Sequence, residues 1–131
     1  REHPAEARAL NRNLVRLAKH MMPDFSVIDG TIGIQGNGPG GTDTVPLGLS
    51  AASADTISVD AVISKAMGFE PLEVGTVFYA DALELGTGDL RKIDILGAVL
   101  SNHIRTFKPH DTIELQRKWA FEGDWSTAKV T

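Results

Sequence analysis

The chain has 131 residues, a hydrophobic fraction of 42% and no cysteine, which fits one globular domain. The lack of cysteine excludes a disulfide framework, a thiolate nucleophile and a cysteine-ligated iron–sulphur cluster within these residues. A formal net charge of -4 with dispersed basic residues argues against nucleic-acid binding, which needs a concentrated basic surface. No apolar run approaches the roughly 20 residues of a membrane span, so we expect a soluble protein, with the cytoplasm favoured as its location.

The first predicted elements are a helix and a strand. Residues 5–21 carry apolar side chains at helical spacing, which predicts a helix that packs by one side on a sheet. Its arginines and Lys19 lie on other faces, where a solvated surface is favoured over a basic partner-binding face. Pro4 suits the first turn, and Pro23 ends the helix. Residues 25–34 are apolar and β-branched, which predicts a buried central strand.

A loop, a strand and a capped helix come next. Residues 35–44 form a glycine-rich loop, and residues 47–52 are predicted as the second strand. Residues 56–67 are predicted as a helix. Asp55 is its expected N-cap, because a carboxylate there accepts from the first backbone amides, and Gly68 is its expected stop.

The last part of the chain has weaker patterns. A helix is predicted from residue 72 or 74 to residue 85, and a third strand over residues 93–96. Residues 103–131 are set apart as a C-terminal tail, in which residues 104–107 and 112–115 are candidate short strands.

This alternation of strands and helices predicts an α/β fold with a mixed or mostly parallel sheet and helices packed on it. Residues 1–131 form a single domain of this class or a fragment of a larger one.

The glycine-rich loop is the most distinctive motif. Gly36, Gly38 and Gly41 satisfy the spacing G-x-G-x-x-G after a strand, but the helix that a dinucleotide site requires does not follow, and the lysine of a Walker loop is missing. Glycine lets a ligand approach the backbone closely, and consecutive amides can bind an anion. Gly36, Asn37, Gly38 and Gly41 are therefore candidate substrate-binding residues. The alternative is a tight turn made only for chain reversal.

Three carboxylates are the candidate catalytic residues: Asp29, Asp55 and Asp60. Asp29 lies within an apolar strand and Asp60 beside the apolar arc of its helix, where a carboxylate must be hydrogen bonded or paired. If the three converge, they can hold a divalent cation or act as acid and base. The alternative is that each one satisfies neighbouring backbone amides, as a capping Asp55 does. The histidines form no ligand set, so no metal is assigned.

The order of motifs is similar to that of a known family. It comprises Pro-Asp-Phe-Ser-Val-Ile-Asp-Gly, Gly-Asn-Gly-Pro, Ser-Ala-Asp with Val-Asp-Ala-Val, and Met-Gly, followed by Leu-Gly-Thr-Gly and Ile-Asp-Ile-Leu-Gly, over residues 23–97. This order resembles the C-terminal portion of the domain of unknown function 362 family. The resemblance implies an α/β domain with motif positions at Asp29, Gly36, Asn37, Gly38, Asp55 and Asp60.

Members of this family are usually longer before the matched region, and some carry ferredoxin-like cysteine motifs. This chain has no cysteine, so a cluster cannot be carried over to it, and the resemblance supplies no cofactor and no reaction.

Two hypotheses of function follow, and they leave open whether the chain is an enzyme. In the first, an enzyme-like domain binds a polar or anionic small molecule through the glycine loop, while Asp29 and Asp60 bind a cation or move protons. Asp55 orients the helix that carries Asp60. In the second, the chain is a docking or structural module of a larger iron–sulphur redox protein, whose upstream half is its partner. A closed polar pocket favours the first hypothesis, and a wide apolar surface favours the second.

Overall fold

The computed structural model describes residues 4–120. The chain opens with helix α1 (Pro4–Met21), as its spacing predicts. Val15 is buried on the inner side of α1, which packs on a later helix and on the turn that ends the described chain. Within residues 4–120, no helix combines the length and the apolar character needed to cross a membrane.

Four short strands follow: β1 (Ser26–Gly30), β2 (Gly33–Ile34), β3 (Thr44–Val45) and β4 (Leu49–Ser53). β1 pairs with β4 from Ser26↔Ser53 to Gly30↔Leu49, and β2 pairs with β3. Both pairs are antiparallel. The class of mixed helix and strand is therefore as predicted, but a mostly parallel sheet is not shown. Antiparallel partners can be joined by a loop that reverses the chain, whereas parallel partners need a long crossover connection.

The predicted central strand over residues 25–34 is instead two strands with a break after Gly30. The interpretation as a buried central strand is wrong for β1, because Val27 and Phe25 are exposed and β1 has a strand on one side only in the described chain. A run of apolar residues shows that a strand is suited to burial, but it does not supply the elements that cover it.

Helix α2 (Thr56–Ala66) begins after its N-cap Asp55, as predicted, and Gly68 follows its end with φ of +87°, the left-handed conformation that suits glycine. A 3₁₀ turn (Pro71–Glu73) leads into helix α3 (Gly75–Ala82). The predicted helix over residues 72–85 is thus confirmed in kind, with shorter bounds.

The strand predicted over residues 93–96 is wrong, because this segment pairs with no strand and lies between two 3₁₀ turns (Leu90–Lys92 and Leu100–His103). Residues 104–107 also form no strand, and the last candidate strand is a short helix, α4 (Ile113–Gln116), followed by a 3₁₀ turn (Arg117–Ala120). The rest of the C-terminal tail, residues 121–131, lies outside the described residues.

Two apolar clusters hold these elements together. The larger one joins α1, α2, α3 and the 117–120 turn through the buried residues Val15, Ile57, Ala61, Val77, Tyr79, Ala80 and Trp119. The smaller one joins Leu47, Ala66 and Phe107. Residues from the predicted tail therefore contribute to both clusters.

Candidate functional site

Asp55 is at the centre of a hydrogen-bonded unit at the start of α2. Its Oδ1 accepts from the backbone amides of Ile57 and Ser58 at 2.9 and 3.0 Å. Its Oδ2 accepts from Ser58 Oγ at 2.7 Å and from the amide of Thr87 at 2.8 Å. One carboxylate thus caps α2 and also fixes the segment after α3, which lies 32 residues away in the sequence.

The surroundings of Asp55 keep it ionised. Partial burial tends to raise its pKa, but the hydrogen bonds from Ser58, Thr87 and Ile57 together outweigh burial, so the pKa of Asp55 lies below its ordinary value. Gly86 is required beside it, because a Cβ there would overlap Asp55 Oδ1 and the side chain of Ile57. A carboxylate with this set of partners orients α2 and the 86–88 turn.

Asp29 lies at the exposed end of β1. Its Oδ1 accepts from the amide and the hydroxyl of Thr31 at 2.9 and 2.6 Å, a local turn that ends the strand. The hydroxyl bond and then the amide bond lower the pKa of Asp29. Asp29 is paired in register with Ser50, while Asp55 follows Ser53 at the other end of the strand pair, so these two carboxylates do not share a site.

Asp60 differs from the other two aspartates because its side-chain carboxylate has no hydrogen bond or ion pair with any residue in the range 4–120. It is half-buried on α2, and burial raises its pKa above the ordinary value. In the described part of the chain, no three His, Cys, Asp or Glu side chains are grouped so that they could hold a metal ion. Asp29, Asp55 and Asp60 therefore lie in three separate surroundings.

The glycine loop is attached to the C-terminal segment. Asn37 and Asp111 form a reciprocal pair, in which Asn37 Nδ2 donates to Asp111 Oδ2 at 2.7 Å and the amide of Asp111 donates to Asn37 Oδ1 at 3.0 Å. The amide of Gly36 donates to the carbonyl of Lys108 at 2.8 Å, and the amide of Lys108 donates to Gln35 Oε1 at 2.9 Å. We call these four hydrogen bonds the loop clasp.

Close packing reinforces the loop clasp. A Cβ at Gly33 would lie 2.5 Å from Phe107 Cε1, so the ring of Phe107 covers a glycine that must stay a glycine. Of the candidate substrate-binding residues, Gly36 and Asn37 are thus occupied by protein contacts. Gly38 and Gly41 are exposed, and a Cβ added at either position would be in ordinary contact with Ile34. No spacing in the sequence could have indicated a contact between residues 74 positions apart.

A groove of about 420 Å³ lies on another side of the molecule. All five residues of β4 line it, and because alternate residues of a strand point to opposite faces, the groove must follow an edge of β4. Val59 and Val62 of α2 and the segment 93–103 form its other walls. The groove contains none of the candidate residues chosen from the sequence.

The polar groups of this groove are connected to Asp55. Ser53 and Ser58 line it and also bind Asp55, since the amide of Asp55 donates to Ser53 Oγ at 3.0 Å. Asp94 and His103 line the opposite wall, and their side chains have no hydrogen bond or ion pair with other residues in the range 4–120. The arrangement offers hydroxyl, carboxylate and imidazole groups around an apolar floor, as small-molecule sites do.

The described residues thus define a segment of mixed helices and antiparallel strands with a groove beside one strand. A comparison with family models identifies it further: the model described as "Domain of unknown function (DUF362)" matches residues 1–65. Residues 1–65 match this family, and this region contains Asp29, the glycine loop, Asp55 and Asp60. The resemblance found in the sequence is thereby confirmed, and the match starts before the first motif.

A thylakoid-associated protein from Synechocystis sp. is similar to the chain at 35% identity over 80 residues, which are 61% of this chain and 25% of that protein. The chain therefore spans about a quarter of the length of this curated relative. No solved structure matches the chain.

Proposed function

We propose that this chain is a docking part of a larger α/β protein and that the outer face of α1 packs against the rest of that protein. One observation carries the proposal. Leu10, Leu14, Leu17 and Met21 form a stripe along α1, and between 47 and 71% of each residue is exposed. Their spacing of four, three and four residues places them on one side of the helix.

Contact between this apolar stripe and water is energetically unfavourable. Single exposed apolar residues are ordinary, but a continuous row on one helix face marks a contact surface. Covering each half-exposed side chain would stabilise the protein by about 1 kcal/mol. The inner side of α1 is already used, because Val15 is buried there, so the stripe requires a partner outside residues 4–120.

The size of the sheet supports the same proposal. β1 and β4 form a two-stranded sheet with an exposed Val27, and two strands alone are marginal in water. The relative is about four times as long as the matched region, so an additional part would supply further strands, including the parallel ones that the sequence favours. The iron–sulphur chemistry of this proposal rests on the family resemblance, and the cluster would lie in that other part. The cytoplasmic location likewise remains a prediction.

Single cysteines test the docking surface, because the chain contains none of its own. Leu14→Cys reports on the stripe, and Arg16→Cys is the matched control on an exposed position of the same helix. Both should react quickly with a maleimide in the isolated chain. In the complete natural protein we expect Leu14→Cys to react at least tenfold more slowly, whereas Arg16→Cys stays reactive.

Equal labelling of the two cysteines in the complete protein would contradict the proposal. Co-sedimentation of the wild-type chain with lipid vesicles, lost in the variant Leu14→Glu, would assign the stripe to a membrane surface instead.

The groove beside β4 supports a second candidate function, the binding of a small molecule. For the glycine loop and the three aspartates, the binding of a small molecule stays a prediction. In the loop, Gly36 and Asn37 already form hydrogen bonds of the loop clasp. In the groove, by contrast, Ser53, Asp94 and His103 surround an apolar floor. The ligand would be a small molecule with an apolar body and hydrogen-bonding groups at its edge.

A fragment screen followed by NMR tests this second candidate. Fragments that bind the groove should shift the amide resonances of Ser53 and His103 in the wild type. Ala98→Trp fills the groove from an exposed position and should abolish these shifts, while Ala82→Trp, an exposed residue of α3 outside the groove, should preserve them. Shifts that persist unchanged in Ala98→Trp, or no shifts at all, would exclude the groove as a ligand site.

A further inference from the structure

One edge of β4 is open along its whole length. β4 pairs with β1 on one side and with no other strand in residues 4–120. All five residues of β4 line the groove beside it, and no residue of β1 does, so the groove follows the edge that is turned away from β1. In an antiparallel pair, alternate residues direct their backbone N–H and C=O groups away from the partner strand. A row of such groups therefore points from β4 into the groove.

The opposite wall of the groove has the composition of a strand but no strand partner. This wall includes the apolar run over residues 93–96, for which the sequence predicts a strand. The backbone amides of residues 94–98 donate to no residue in the range 4–120. Ile95 and Leu96 line the groove and are 40 and 91% exposed, although contact between a leucine side chain and water is unfavourable. This wall is therefore suited to contact with an added segment of chain.

The interior of the groove is apolar and incompletely filled. After Leu49, β4 carries only serine and alanine, whose short side chains leave space beside the strand. Val59 and Val62 of α2 also line this space. Because protein interiors are close-packed, a groove of about 420 Å³ has room for further side chains. A strand beside β4 would direct every second side chain towards α2, where apolar residues fit.

We propose that an extended strand from the rest of the larger protein lies in this groove and pairs with the open edge of β4, with apolar residues at alternate positions facing α2. The proposal rests on the docking proposal, because the strand comes from outside residues 1–131. Addition of a strand to an exposed sheet edge is a recurring mode of polypeptide recognition. The match covers 25% of the relative, so most of a protein of that length is available to supply the strand.

A strand accounts for two features that a small molecule does not explain. It can pair with backbone groups along all five residues of β4, a length of about 17 Å, and so satisfy an edge that is otherwise a template for unwanted pairing. It also covers Leu96 at the rim. A small molecule would fill the interior of the groove and leave the edge unpaired. In the complete protein these two occupants exclude each other.

The test is residue-resolved hydrogen exchange in the complete natural protein without added ligand. Pairing with β1 alone slows the exchange of only alternate amides of β4, and these amides are the internal control. With a second strand in the groove, every amide of residues 50–52 should exchange at least about 100-fold more slowly than in an unstructured chain. Protection that appears only after a groove-binding fragment is added would assign the groove to a small molecule and overturn the proposal.

A variant on the opposite wall tests the strand directly. Leu96 is almost fully exposed, so Leu96→Glu should hardly affect the folding of residues 4–120. In the complete protein it places a carboxylate against the added strand, and exchange of the outward β4 amides should become at least about tenfold faster. Ile32→Glu is the matched control, because Ile32 is exposed and lies outside the groove, and it should leave exchange unchanged.

Unprotected outward amides in the wild type, or exchange that Leu96→Glu does not change, would overturn the proposal. This readout is independent of the labelling of Leu14→Cys. Slow labelling of Leu14→Cys with unprotected β4 amides would exclude the added strand and retain the docking surface on α1. Fast labelling with fully protected β4 amides would exclude that docking surface and support the strand.

Discussion

Asp55 and the loop clasp both connect segments that are distant in the sequence, but they do so in different surroundings. Asp55 uses a half-buried carboxylate with four donors, three of which are on α2. The loop clasp uses exposed groups on both sides, with Asn37 and Asp111 in contact with solvent. A hydrogen bond to a charged group sheltered from water contributes more than one between groups that water can solvate. We therefore expect the two connections to differ in strength.

The largest effect is expected at Asp55. Asp55→Ala removes the cap of α2 and the acceptor for Thr87, and it should lower the free energy of unfolding by about 2–4 kcal/mol. Urea denaturation measures this change. Asp24→Ala, at an exposed position before β1, is the matched control and should change stability by less than about 0.5 kcal/mol. Equal effects of the two substitutions would show that Asp55 is only a surface residue.

The pH dependence of the free energy of unfolding provides a second test of the contribution of Asp55. Because the folded-state pKa of Asp55 is lowered, its contribution is fully present above the unfolded pKa of about 3.9 and is lost as the pH falls through the folded value. The difference in stability between wild type and Asp55→Ala should therefore shrink in acid. A constant difference from pH 7 down to pH 2 would contradict this account.

A smaller effect is expected in the loop clasp. Asn37→Ala and Asp111→Ala should each cost about 0.5–1 kcal/mol, because both partners are exposed. The double variant should cost less than the sum, since the two residues bind each other. Full additivity in a double-mutant cycle would mean that the clasp does not form in solution.

The smallest effect is expected at Asp60, and its sign is opposite to that of Asp55. The folded-state pKa of Asp60 is raised by burial, so the carboxyl favours the folded state when protonated, and this preference is lost as the pH rises through the folded value. Asp60→Asn should leave stability unchanged at about pH 4 and raise it slightly at pH 7. A clear loss of stability at pH 7 would reveal an ionic partner for Asp60.

Local features of this fold were predictable from the sequence, and long-range ones were not. The N-cap at Asp55 and the stop at Gly68 were predicted correctly because both depend on residues within one helical turn. A strand was predicted for residues 93–96 from their composition, but within residues 4–120 no strand lies beside them to pair with. The antiparallel pairing of β1 with β4 depends on how residues 31–48 reverse the direction of the chain. The pattern of apolar residues carries no information about that path.

The candidate site shows the same limit. Asp29, Asp55 and Asp60 were grouped because each carboxylate lies near an apolar pattern, yet their separation depends on which end of β1 or which face of α2 each one occupies. The contact of Asn37 with Asp111 depends on where distant segments pack. The groove beside β4 has no sequence motif, because consecutive backbone positions of one strand form much of its wall.

The hydrogen bond from Arg8 to Trp119 spans 111 positions of the chain and has a consequence for biosynthesis. The larger apolar cluster contains Val15 from α1 and Trp119 from the 117–120 turn, so its packing cannot be completed until residue 119 has left the ribosome. Closing so long a loop is entropically costly and slows folding. Until then, the inner side of α1 stays exposed on the nascent chain, where a chaperone can bind it.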